Sequence, residues 1–113
     1  MIYVTIALFA LAAVLGLTIL LKWLSHKDAP RVVVYSHGLA AALALVLLII
    51  YALQQPDNFP QVSIILFVLA ALGGFFLFYN DQVKQNKLVP VAFLHALLAL
   101  SGFVALLLFA FNS

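Results

Sequence analysis

Polar residues interrupt this chain in only three places. Hydrophobic runs cover roughly residues 2 to 21, 32 to 53, 62 to 79 and 90 to 111. Each run is near the ~20 residues that cross about 30 Å of hydrocarbon as a helix. The breaks run from Lys22 to Arg31, from Gln54 to Gln61 and from Asn80 to Val89, with prolines at 30, 56, 60 and 90 punctuating them. Pro30 and Pro90 suit helix starts. The pattern predicts an all-α membrane protein, a four-helix transmembrane up-down bundle that forms one domain over residues 1–113. The first run opens Met1-Ile2-Tyr3 without a basic stretch and leads into Lys22 and Trp23 rather than a small-residue cleavage site. It is expected to be a retained span rather than a signal peptide.

Sliding the sequence on itself by 58 residues lays Leu8-Phe9-Ala10-Leu11-Ala12-Ala13 on Leu66-Phe67-Val68-Leu69-Ala70-Ala71, Gly16 on Gly74, and His37 on His95. Over residues 4 to 53 about 15 of some 50 positions are identical, where this Leu- and Ala-rich composition gives roughly 5 by chance. Two duplicated helical hairpins are therefore expected, with halves of about 1–55 and 59–113. Since both have the same sense, their pseudo-twofold axis should run along the membrane normal.

Composition and charge then fix the setting. Of 113 residues 68% are hydrophobic and only eight are charged, too few to wet the surface of a soluble domain. The net charge of +2 gives no reason to expect nucleic acid, because all five basic residues, Lys22, Lys27, Arg31, Lys84 and Lys87, lie in the first and third breaks. By the positive-inside rule those breaks face the cytoplasm, both termini lie outside it, and the expected location is a bacterial inner membrane. Trp23, Tyr3, Tyr35, Tyr51 and Tyr79, near span ends, read as interfacial anchors beside membrane lipid. The absence of Cys removes disulfides, thiolate metal sites and iron–sulfur clusters.

The candidate chemistry rests on two histidines. Ionisable side chains inside spans are rare and costly, and His37 and His95 occupy matched positions about five residues into the second and fourth runs. Both should sit roughly 8 Å beneath the basic face. One and two turns below them on the same faces come Ala41 and Ala44, and Ala99 and Gly102. In the other two helices Ala12 and Gly16 pair by repeat with Ala70 and Gly74 at the histidines' depth. Small residues at these places are expected to leave a slot for a flat cofactor, although they also suit close helix packing. Two imidazoles alone do not make a zinc site, and copper(I) would draw on Met or Cys, of which the chain has only Met1. Haem iron needs only two axial ligands, and without Cys it would be held as haem b. Arg31 and Lys87 are among the cations placed to meet its carboxylates. His26, in a charged break, is expected to be solvated.

Four short spans with inward histidines on two of them resemble the small four-helix membrane b-type cytochromes, the class that includes cytochrome b561-like proteins. The likeness rests on His37 and His95. The two-haem members carry a second histidine at the opposite membrane side, and the outer halves of these helices, from Leu45 to Leu53 and from Phe103 to Phe111, contain none. The resemblance implies one haem b per chain, ligated by His37 and His95, in an electron carrier rather than an enzyme. If it is an enzyme, it is expected to be an oxidoreductase acting on quinone or superoxide. The partner would be a quinone or a redox protein, and a homodimer with haem shared between chains stays open. Two alternatives remain. One is haem storage, sensing or delivery. The other is a haem-free small transporter or accessory subunit, which the lack of an intramembrane carboxylate disfavours, since Asp28, Asp57 and Asp81 all lie in the breaks.

Overall fold

The computed structural model describes residues 1–112. Four helices make up the chain: α1 (Ile2–Leu24), α2 (Arg31–Gln54), α3 (Gln61–Gln82) and α4 (Val89–Phe111). Each is long and apolar enough to cross a membrane, and the chain is a multi-pass membrane protein. Helix is the form that lets such segments satisfy every backbone N–H and C=O without water. Pro30 and Pro60 stand just before α2 and α3, and Pro90 lies in the first turn of α4, where no intrahelical donor is lost.

The helices run two to three residues past the first and third hydrophobic runs, taking in Lys22, Trp23 and Leu24 on α1 and Asn80, Asp81 and Gln82 on α3. Hydropathy marks where lipid contact stops; the hydrogen-bond ladder continues for another turn. His26 and Gln85 then take left-handed backbone conformations, with φ of 58° and 52°, and turn the chain into the next segment.

Segments 25–30 and 83–88 lie at one end of the bundle, called here the basic end; segment 55–60 lies at the other. The bundle measures 44 × 22 × 21 Å. Contacts are densest within the hairpins α1–α2 and α3–α4, fewer between α1 and α4, and fewest between α2 and α3. Helices α1 and α3 are diagonal, as are α2 and α4. The molecule is thus two tight hairpins joined along a looser seam.

The duplication is visible in the geometry. Phe9 stacks on Phe67 with centroids 3.8 Å apart and planes 3° from parallel, His37 faces His95, and Tyr51 meets Phe109. In every case a residue touches its own equivalent 58 positions on, which only residues beside a twofold axis can do. Burial follows the same rule: Thr5 and Ser63, Phe9 and Phe67, Ala12 and Ala70, and Leu48 and Leu106 are buried as pairs. Phe9, Phe67, Ala44, Leu48 and Leu106 form the main core in the half of the bundle away from the basic end. The outward faces remain apolar and exposed, as lipid-facing surfaces are.

Candidate functional site

His37 and His95 project from diagonal helices toward the pseudo-twofold axis, each six residues into its helix and so about 9 Å from the basic end. Their ring centroids are 6.3 Å apart and their planes stand at 86°. Each ring is held by the neighbouring helix of its own hairpin. His37 Nδ1 lies 2.7 Å from the Ala12 carbonyl oxygen, and His95 Nδ1 lies 2.7 Å from that of Ala70. A carbonyl only accepts, so each Nδ1 carries the proton and donates it. In a neutral ring that leaves the lone pair on Nε2.

A helical carbonyl is free to accept this second bond because of the glycine four residues on. Helical side chains point back over the preceding turn, so a Cβ at position 16 would cover the Ala12 carbonyl. It would come within 2.9 Å of His37 Cε1, and a Cβ at position 74 within 3.1 Å of His95 Cε1. Gly16 and Gly74 therefore make room for the imidazoles themselves. Gly73, beside Gly74, leaves ordinary contact distance to His95.

The remaining small residues sort into two levels. Ala41 and Ala99 are half-buried one turn beyond the rings. Ala44 and Gly102 lie deeper, in the packed core where Phe9 and Phe67 fill the axis. A Cβ on Gly102 would approach Leu66 and Phe67 at 3.3 Å, and its carbonyl accepts a 2.8 Å hydrogen bond from Ser63 Oγ.

At the basic end the duplicated halves diverge. Arg31 is exposed on the rim of a polar cleft of about 280 Å³, also lined by Asp28, Asp81, Gln82, Gln85 and Lys87. Lys87 is hydrogen-bonded to Asp28 and lies 3.3 Å from Asp81, so its charge is matched within the chain. The hydrogen bond that Lys87 donates to Asp28, followed by the nearby Asp81, raises Lys87 above the ordinary lysine pKa. His26 is exposed in the first connecting segment.

Tyr3, Tyr35 and Tyr79 are exposed near helix ends, as anchors should be. Trp23 differs from the anchor expectation: it turns inward, 6% exposed, and packs with Leu77 and Ala92. Its position seven residues after Gly16 places it on that residue's helix face, a spacing that already pointed inward. The carbonyls of Ala12 and Ala70 were the other participants the sequence did not single out. Their signal lay in the Ala-x-x-x-Gly pattern of both halves, which reads equally as helix packing.

No family model matches the chain, and no curated protein or solved structure is significantly similar to it. Among the described residues no three His, Cys, Asp or Glu side chains gather as a metal-binding group. The chemistry on offer is thus two tethered imidazole rings 6.3 Å apart beside one axis.

Proposed function

We propose that this protein is a single-haem b-type cytochrome of a bacterial inner membrane, ligated by His37 and His95, that exchanges single electrons near the cytoplasmic face. The carrying observation is the ring pair itself: two imidazoles from diagonal helices, each fixed by an Nδ1–H bond, with centroids 6.3 Å apart. With metal–nitrogen bonds of about 2 Å and a nitrogen roughly 1 Å from its ring centre, imidazoles on opposite sides of one metal ion have centroids about 6 Å apart. Carbonyl-bound Nδ1 is the usual way a metal-ligating histidine is oriented and its ligand nitrogen made more basic.

The donor set selects among metals. Two neutral nitrogens complete haem but leave zinc or copper underligated. Haem, when bound, supplies a reversible one-electron couple at its iron. The chain's part would be to hold the group through His37 and His95, which suits electron exchange rather than oxygen or peroxide chemistry, and to keep water from the site with the Phe9–Phe67 layer on the side away from the basic end. By the positive-inside rule the basic end is cytoplasmic and the termini are outside, so the electron partner, a quinone or a redox protein, is met on the cytoplasmic side. The same placement underlies the likeness to four-helix membrane b-type cytochromes.

The test is an absorption spectrum of detergent-purified protein from haem-replete cells, with His37→Ala and His95→Ala beside the wild type. A low-spin b-type spectrum that both substitutions abolish is expected. Colourless wild-type protein overturns the reading. Tags on each terminus give the second check, since a cytoplasmic signal from either would place the site at the other face.

A further inference from the structure

Trp23 is the chain's only tryptophan, and its indole Nε1 is the sole buried side-chain nitrogen or oxygen without a hydrogen-bond partner among the described residues. A buried Trp ordinarily finds an acceptor, and a polar group left unpaired at membrane depth is costly. At 6% exposure the ring is closed to lipid headgroups. The acceptor of that N–H is not among the described residues.

Its place in the fold narrows what that is. Thr5, Phe9, Ala12, Gly16 and Trp23 follow one inward face of α1, and Trp23 stands about 10 Å nearer the basic end than the glycine on which His37 rests. Its neighbour Ala92 lies three residues before His95 on α4, and its neighbour Leu77 three residues after Gly74 on α3. The indole thus roofs the histidine pair on the side facing the basic end. The equivalent position in the other half is Asp81, whose side chain is 9% exposed and partnered by Lys87 and Gln82. Asp81 thus has donors for its carboxylate, whereas the buried indole N–H on α1 has no acceptor among the described residues.

We propose that Trp23 is a cofactor-holding residue, whose indole N–H donates to a carboxylate of the haem bound between His37 and His95. This assignment rests on the haem reading above. A haem held by His37 and His95 would meet the cations of the basic end through its carboxylates, and Trp23 stands on that side of the rings. A charge-assisted bond of this kind is stronger than one between neutral groups.

The experiment titrates haem-depleted protein in detergent with hemin and with hemin dimethyl ester, in the wild type and in Trp23→Phe, which keeps the aromatic bulk and deletes the donor. The expected result is about tenfold weaker hemin binding in the variant with the low-spin spectrum retained, and a much smaller difference for the uncharged ester. Equal hemin affinity in both proteins overturns the assignment, as does an equal loss for hemin and ester, which marks a packing role. If Trp23→Phe does not fold, the hydrogen-bond-sensitive indole band in the ultraviolet resonance Raman spectrum of the wild type decides. It must shift on hemin binding, and an unshifted band overturns the proposal. Absence of a low-spin spectrum from the wild type with either compound is the separate outcome that removes the haem reading itself.

Discussion

Gly16 is the residue on which the geometry of the paired rings depends most directly. A methyl group there falls 2.9 Å from His37 Cε1, nearer than van der Waals contact allows, and the ring is pinned by its bond to Ala12. Gly16→Ala is expected to push the imidazole off that carbonyl and, on the haem reading, to lower haem affinity roughly 10- to 100-fold, the usual scale for disturbing a ligand's supporting partner. Gly74→Ala, at 3.1 Å from His95, should act in the same direction but less strongly. Gly102→Ala is the control: it crowds Leu66 and Phe67 at 3.3 Å, so it should cost about 1–3 kcal/mol of stability and leave the two imidazoles in place. Haem titration beside thermal unfolding separates the three. The sequence made these positions legible as small residues at histidine depth. It could not say that the glycines serve the rings and that Ala44 and Gly102 serve the core, because an Ala-x-x-x-Gly pattern is common to both uses and main-chain acceptors leave no mark in side-chain identity.

Between elements, two polar contacts do different amounts of work. Ser63 Oγ on α3 reaches the Gly102 carbonyl of α4 at 2.8 Å in a buried setting, whereas its equivalent Thr5 bonds the Met1 carbonyl within its own helix. Ser63→Ala should therefore loosen the α3–α4 hairpin by about 0.6–1.5 kcal/mol, measured by unfolding in detergent. At the basic end, Lys87 ties the segment after α3 both to Asp28 and to Asp81. Asp28 is 86% exposed, so Asp28→Asn should cost no more than about 1 kcal/mol and less in high salt. Lys87→Met leaves the half-buried Asp81 carboxylate with only its Gln82 hydrogen bond and should cost more, roughly 1–3 kcal/mol. Since Lys87 is raised above its ordinary value, its contribution is complete below about pH 10.4 and fades only as pH climbs through the elevated value. The stability gap between wild type and Lys87→Met should thus be flat from pH 7 to 10 and narrow above it. Helix number, order and approximate ends were readable from hydropathy alone. Their inward faces were not, because lipid and core are both apolar and the helices carry no amphipathic stripe. The 58-residue repeat does not separate the two by itself, since matched pairs such as Leu11 and Leu69 or Leu39 and Leu97 face outward while Phe9 and Phe67 or Leu48 and Leu106 are buried.

At the scale of the whole molecule, duplication makes the site a property of the seam. Each hairpin builds half of it in the same way, with one imidazole, one carbonyl and one glycine, and neither half holds two imidazoles alone. The sequence left open whether the second imidazole comes from the same chain or from another copy. In this structure both rings meet inside one chain, 6.3 Å apart on its own pseudo-twofold axis, so a second copy is not needed to complete the pair. On the haem reading, one cofactor per chain follows. Co-expression of two differently tagged chains, one carrying His37→Ala and the other His95→Ala, tests this directly. A site shared between copies would restore one complete pair in the mixed dimer, giving up to half the wild-type haem in material purified through both tags. A site closed within each chain gives none, because every chain then lacks one of its two axial nitrogens. The expected outcome is loss of the low-spin spectrum in the doubly purified material, while wild-type protein purified through a single tag binds one haem per chain. Recovery of colour in the mixed sample would place the functional seam between copies and make the hairpin pairing within one chain a packing arrangement only.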